Sequence, residues 1–206
     1  MTLEFAISAL VTLLLVVDPV GLVPAFISMT DGLPIAARRQ VAIRASLIAF
    51  CILIGAALIG DWLLGSLGIG LPAFRIAGGL LLFSIASEMV FGLRSEREAR
   101  TAEQAVSEHV RNIAAFPLAI PLLAGPGAIT AVILLAGRSD DLTTLAELLG
   151  VIMAVMLFSL AVFLAAGRIA KLLGATGNVV MSRLLGVILA ALAVQFVIDG
   201  IRAVWA

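Results

Sequence analysis

One aspartate stands beside two prolines in the first apolar stretch of this chain. The segment reads Asp18-Pro19-Val20-Gly21-Leu22-Val23-Pro24, inside a hydrophobic run from about Phe5 to Thr30. Proline removes a backbone donor and crowds the preceding turn, so this segment should open the helix and leave carbonyls free. In hydrocarbon each unsatisfied backbone group costs several kcal/mol, so a broken segment persists only where protein, water, an ion or a substrate satisfies it. A carboxylate near the bilayer centre adds about 2.5–3.5 kcal/mol on the insertion scale. Asp18 with the freed carbonyls suits a cation: an ammonium group, a sodium ion or a proton.

A second break has the opposite chemistry. Phe116-Pro117-Leu118-Ala119-Ile120-Pro121 is followed by Gly125-Pro126-Gly127-Ala128-Ile129-Thr130 and then a clean apolar run. A half-helix beginning near Ala128 would present free N–H groups and the positive end of its dipole, which suits a carboxylate. Facing each other, the two breaks would hold a zwitterion. The candidate binding residues are therefore Asp18, Pro19, Gly21, Gly125, Pro126, Gly127 and Thr130. Against this stands the plainer reading that kinks in membrane helices serve packing and that Asp18 is satisfied by a neighbouring Thr, Ser or Arg. A charge, a double break and a second break together favour binding.

Ser84 with Glu88, and Gln195 with Asp199, form two (i, i+4) pairs, each on one helix face. They are candidate gate or proton-coupling groups. The alternative is that Glu88 and Asp199, near the ends of their spans, reach the interface or pair with a loop arginine. Arg75 and Arg183 read as interfacial anchors. Cys51 is the only cysteine and His109 the only histidine, which removes intramolecular disulfides, CxxC chemistry and zinc sites built on Cys or His. There is no HExxH, GxSxG or GxxxxGK[ST] segment, so neither an enzyme nor ATP hydrolysis is expected, and no cofactor is implied beyond a coupling ion. Asp18 and Asp199 lack the Gly-x-Gly-Asp context of an intramembrane aspartic protease.

The elements that must position these groups follow from composition. The chain has 206 residues, 63% hydrophobic and 13% charged, with a mean hydropathy of +1.23. Apolar stretches recur along the whole length, so a polytopic all-α membrane protein is expected, with its function inside the bilayer. Six spans are expected: Phe5–Thr30, a second from Arg44 to about Asp61, Pro72–Leu93, Ile113–Gly137, Leu148–Gly167 and Arg183–Arg202. The charged segment 94–112, with Glu96 four residues before Arg100, reads as a solvated helical connector. Zero net charge excludes a basic face for nucleic acid.

Ten of the thirteen basic residues fall in loops 1-2, 3-4 and 5-6, which makes that side cytoplasmic and both termini external. Trp62 and Trp205 then share the outer interface. Glu4 and the absence of a cleavage pattern make the first stretch a retained span, not a signal peptide. An offset of 108 pairs Arg75 with Arg183, Gly78 with Gly186, Leu81 with Leu189 and Gly92 with Gly200, and an offset of 107 pairs Pro19 with Pro126. The expectation is a single membrane domain built as an inverted 3+3 repeat, first half about 1–93 and second about 113–206, with spans 1 and 4 broken.

These motifs, together with Phe74-Arg75-Ile76-Ala77-Gly78-Gly79 and Arg183-Leu184-Leu185-Gly186 through Asp199-Gly200-Ile201, resemble the MarC family of bacterial inner-membrane proteins. The resemblance covers nearly the whole chain. It implies a six-span protein with inverted halves and, for some members, ion-driven transport of small neutral amino acids such as glycine and alanine. The family's motif residues map here onto Asp18, Pro19, Gly21, Pro24, Gly125, Pro126, Gly127 and Thr130. The expected function is thus a secondary transporter of the inner membrane, acting on a small-molecule substrate in the lipid bilayer and driven by protons or by sodium bound near Asp18, with homo-oligomers allowed. Export of another small solute, or a structural or regulatory membrane subunit, are the alternatives.

Overall fold

The computed structural model describes residues 2–94, 97–98, 100, 114–138 and 141–205. In chain order the elements are α1 (Thr2–Val17), α2 (Val23–Met29), α3 (Ile35–Ser66), α4 (Leu71–Phe91), a π-helical segment π1 (Ala114–Leu123), α5 (Pro126–Ala136), α6 (Leu142–Leu164) and α7 (Ala166–Trp205). There is no strand among the described residues. α7 is kinked at Gly174, which holds φ 61° and ψ 180°.

Four stretches are long and apolar enough to cross a membrane: α3, α4, α6 and the Thr176–Trp205 part of α7. Their apolar windows are only 28–39% buried, so most of that surface faces outward, as lipid-facing helices require. The protein is a multi-pass membrane protein. α1 and α5 are different. At 16 and 11 residues, they rise about 24 and 16 Å, short of a bilayer core of about 30 Å. They lie in the centre: Leu13, Val16 and Val17 of α1 and Ala131, Leu134 and Leu135 of α5 are almost fully buried. α1 and α5 supply much of the buried core, and the long helices pack around them.

The expected boundaries shift in places. α3 begins at Ile35 and not after Arg44, because Arg38, Arg39 and Arg44 can carry their stems along the helix and keep their heads at the interface. Arg38 also donates to the Thr30 carbonyl at 3.2 Å, closing the C-terminal end of α2. α6 starts at Leu142, six residues before the expected Leu148. Its N-cap Asp141 accepts from the Thr144 N–H at 2.9 Å and from the Thr144 hydroxyl. These bonds, the hydroxyl's foremost, hold the Asp141 carboxyl below the usual carboxylate range. A depressed folded value contributes stability above the unfolded value, and this is lost as pH falls through the folded one. Asp141→Ala is therefore expected to lower thermal stability slightly at neutral pH. The gap should close below the ordinary carboxylate range; a gap constant down to strongly acidic pH would contradict the cap.

The most extensive interface joins α4 to α7, running antiparallel. It works through small residues. A Cβ on Gly79 would lie 2.7 Å from the Ala193 carbonyl oxygen, and one on Gly186 would lie 3.1 Å from that of Ala86. Gly200 sits equally close to Pro72. Such contacts replace the hydrophobic drive that is missing between helices in lipid. We expect Gly79→Ala to cost about 1–3 kcal/mol through overpacking against backbone. Gly150→Ala, where a Cβ meets nothing within 4 Å, should not destabilise, since alanine in a helix interior is favoured over glycine by about 0.5–1 kcal/mol. Thermal unfolding in detergent measures both, and equal midpoints would refute the packing argument.

Candidate functional site

The first break falls where the sequence places it. α1 stops at Val17, residues 18–22 form turns, and α2 resumes at Val23. Asp18 takes φ 48°, a left-handed conformation that Asp and Asn adopt more readily than other side chains. It is 3% exposed, and its carboxylate accepts the Gly21 N–H at 3.0 Å. Pro19 lacks an N–H, and the Gly21 N–H is turned onto the Asp18 side chain. The helical donor that Val17 would have used is thereby diverted. The C-terminal end of α1 needs donors from elsewhere.

They come from the segment expected to be solvated. Gly92 ends α4 at φ 80°, a left-handed turn that suits glycine, and beyond it Arg94 and Glu98 are 6% and 5% exposed. Arg94 Nη2 donates to the Val16 and Val17 carbonyls at 3.3 and 3.4 Å, Nη1 meets the Met89 sulfur at 3.2 Å, and Nε pairs with Glu98 Oε1 at 2.8 Å. The Arg94 charge also acts on the Asp18 carboxylate. The connector is thus not a simple solvated helix: the Arg94–Glu98 ion pair at its start is buried against the C-terminal end of α1, next to Asp18. Glu96, whose spacing to Arg100 suggested the solvated helix, lies outside the described residues, as does Ile113, the expected start of span 4.

The second break is also present. The π-helical segment ends at Leu123, Gly125 is the extended N-cap of α5, and Pro126 opens the helix. A cavity of about 50 Å³ lies here, lined by Val16, Ile85, Arg94, Arg97, Glu98, Pro121, Leu122 and residues Gly125 to Ala128. The two breaks meet across it: a Cβ on Gly127 would lie 3.3 Å from Val16 Cγ1. So Gly125, Pro126 and Gly127 share one cavity wall with the end of α1. Asp18 joins them through Arg94, not by lining the cavity itself. Thr130 is buried but turned away, its methyl packing on α4 where Gly78 leaves room for it.

The softer candidates lie elsewhere. Glu88 pairs with Arg97 at 2.8 Å, and Asp199 pairs with Arg138 at 3.0 Å while accepting from Gln195 at 2.7 Å. Arg138 also stacks over Phe196 at 4.9 Å. Ser84 is exposed on the outer face of α4. Ser84, Glu88, Gln195 and Asp199 do not line the cavity between the breaks, but Arg97, the partner of Glu88, does. No group of three or more His, Cys, Asp or Glu side chains is placed to hold a metal among the described residues.

Sequence reasoning missed Arg94 and Glu98. The signal that could have found them is the orphaned end of α1, which requires a donor from some other part of the chain.

A second, larger cavity of about 520 Å³ opens beside α2, between Pro24, Ile27 and Asp31 and the kinked start of α7 at Leu173, Gly174 and Asn178. It leaves α2 unpacked on one side, while Phe26 stacks on Phe163 of α6 on another, ring centroids 4.7 Å apart.

Comparison with known proteins also points to a membrane protein. The chain is similar to UPF0056 membrane protein MJ1677 of Methanocaldococcus jannaschii, 37% identical over 205 residues and 98% of each chain. It is also similar to UPF0056 membrane protein YhcE of Escherichia coli, 36% identical over 192 residues, covering 92% of this chain and 88% of the relative. No solved structure matches it. The family described as MarC family integral membrane protein matches residues 3–205, and the chain belongs to that family.

Proposed function

We propose that this protein is a secondary transporter of small neutral amino acids, of the size of glycine or alanine, driven by a proton or sodium gradient. One observation carries the reading: two broken helices meet at a shared cavity with opposite ends. The C-terminal end of α1, with its freed carbonyls and Asp18, is a cation site, and the N-terminal end of α5 is an anion site. A structural bundle has no use for a buried carboxylate beside such a break. The open space beside α2 gives the half-helix after the break room to move, as alternating access requires.

The inverted 3+3 repeat is part of this proposal. Its support is that contacts respect an exchange of halves. The first broken segment (α1 and α2) meets the second (π1 and α5) through α1 and α5, α3 meets α6 and α4 meets α7, so each of the three units touches its counterpart. The cross contacts also come in pairs: α1 with α6 answers π1 with α3, α2 with α6 answers α5 with α3, and α4 with α5 answers α7 with α2. On this reading the membrane is the inner membrane, and the positive-inside rule puts the ten-arginine-and-lysine side in the cytoplasm. Glu88 and Asp199, each held by an arginine near one end of its helix, are then the outlying candidates for gating.

The test is flux of radiolabelled glycine and alanine into proteoliposomes under imposed proton and sodium gradients. Uptake above that of protein-free liposomes, dependent on one of the two gradients, is the expected result. No flux under either gradient would leave the non-transporting subunit as the better reading. Thermal stabilisation across a panel of small solutes would then separate a carrier of another solute from a scaffold.

A further inference from the structure

The cavity between the breaks is small, and what fills the rest of the space is the chain itself. At about 30 Å³ per water in the liquid, 50 Å³ holds one or two waters, whereas ligand pockets run from about 300 Å³ upward. The charged side chains that reduce it are Arg94, Arg97 and Glu98, from beyond the Gly92 turn; Arg97 is balanced by Glu88 of α4 at 2.8 Å, which leaves Arg94 and Glu98 as the pair held within the site. Their placement has a pattern. The guanidinium sits on the carbonyls at the C-terminal end of α1, near Asp18. The carboxylate lines the same cavity as Gly127 and Ala128 at the N-terminal end of α5. A cation at the negative end of one half-helix and an anion beside the positive end of the other is the charge arrangement of a bound zwitterion.

We propose that the Arg94–Glu98 pair is a tethered stand-in for the substrate, which closes the site between the breaks and yields only to a ligand carrying both charges. This rests on the transport reading and sharpens it to a selectivity rule. Taking the ion pair out leaves the Val16 and Val17 carbonyls without the donor that Arg94 supplies, removes the cation near Asp18 and the anion that shares the cavity with the α5 N-terminus, and unpaired polar groups in a dry interior are costly. A zwitterionic amino acid replaces both members. A simple amine leaves the α5 end empty, and a simple carboxylate leaves Asp18 and the carbonyls empty. Neither compensates for displacing the pair.

The experiment is an accessibility assay that needs no transport. Cys51, the only cysteine, is replaced by alanine, and Ala128→Cys places a thiol on the cavity wall. Oriented vesicles are treated with a membrane-impermeant thiol reagent from the face on which Arg94 and Arg97 lie. The thiol should be protected in the otherwise unaltered chain, become labelled at least about tenfold faster with millimolar glycine, and stay protected with methylamine or acetate. Glu98→Gln should be labelled without any ligand. If that variant does not fold, Arg94→Lys serves: it keeps the charge but loses the planar fork that spans Glu98 and two carbonyls, and it should label at an intermediate rate.

Equal labelling with and without the intact pair, or protection that persists in folded Glu98→Gln, overturns the plug. Labelling promoted equally by methylamine or acetate overturns the selectivity rule. Gated labelling in a protein that passes no amino acid in the flux assay sinks the transport reading alone, and amino acid flux with ungated labelling sinks this inference alone.

Discussion

Asp18→Asn should abolish gradient-coupled uptake while leaving the fold in place. Asparagine is nearly isosteric, accepts the same Gly21 N–H through its side-chain oxygen, and tolerates the left-handed φ of 48° that residue 18 adopts. The backbone of the break is therefore kept, where alanine at a positive φ would add strain of its own. What disappears is the charge. In the wild type that charge acts on Arg94 and, with the α1 carbonyls, makes the cation half of the site. A hydrogen bond to a charged group is worth about 1.5–3 kcal/mol, and each 1.4 kcal/mol is tenfold in affinity. Substrate or coupling-ion binding should thus weaken by about ten- to a hundredfold, and concentrative uptake should fall to the level of passive leak. Stability should change little by comparison, because Arg94 keeps its ion pair with Glu98 at 2.8 Å and its bonds to the Val16 and Val17 carbonyls. Uptake and thermal unfolding on the same preparation separate the two effects. Wild-type uptake in Asp18→Asn would remove Asp18 from the site.

Both breaks were legible in the sequence because proline and glycine act locally, through a missing donor and through backbone freedom, whatever the tertiary fold does. The helical class and the presence of several spans were legible for a similar reason, since hydropathy is a property of each segment by itself. Boundaries were less so. Arg38, Arg39 and Arg44 look like the edge of a span, yet they ride within α3, because long cationic side chains can leave the helix axis for the interface. The burial of Arg94 and Glu98 was not legible at all. Along the chain they belong to a charged run that suits solvent, and only the turn at Gly92 aims them at the end of α1. Thr130 shows the converse: its place in the Gly-Pro-Gly motif suggests a ligand, whereas helical phase turns it onto Gly78. Phase relative to a neighbour is set by packing, which one segment's sequence does not carry.

The largest steric effect at the second break is expected from Gly125→Ala. Gly125 has φ −74° and ψ 172°, which any residue can adopt, so the objection is one of space. A Cβ there would lie 2.3 Å from the Pro121 carbonyl oxygen. Both are backbone positions on the wall of the same cavity, and neither can rotate away. Either the π-helical end, where Ala124 N–H bonds the Ala119 carbonyl at 2.9 Å, or the first turn of α5, where Ile129 N–H bonds the Gly125 carbonyl at 3.0 Å, must shift. Overpacking of this kind costs about 1–3 kcal/mol. Felt in substrate binding, the same amount is about five- to over a hundredfold. Gly127→Ala makes the informative comparison. Its Cβ would meet Ile85 Cδ1 at 2.4 Å and Val16 Cγ1 at 3.3 Å, both tips of side chains, and the isoleucine can change rotamer. Gly125→Ala should therefore raise the KM for uptake and lower the unfolding midpoint well beyond Gly127→Ala. If the two variants bind and unfold alike, the α5 N-terminus is not held by the Pro121–Gly125 contact, and the anion half of the site loses its geometric basis.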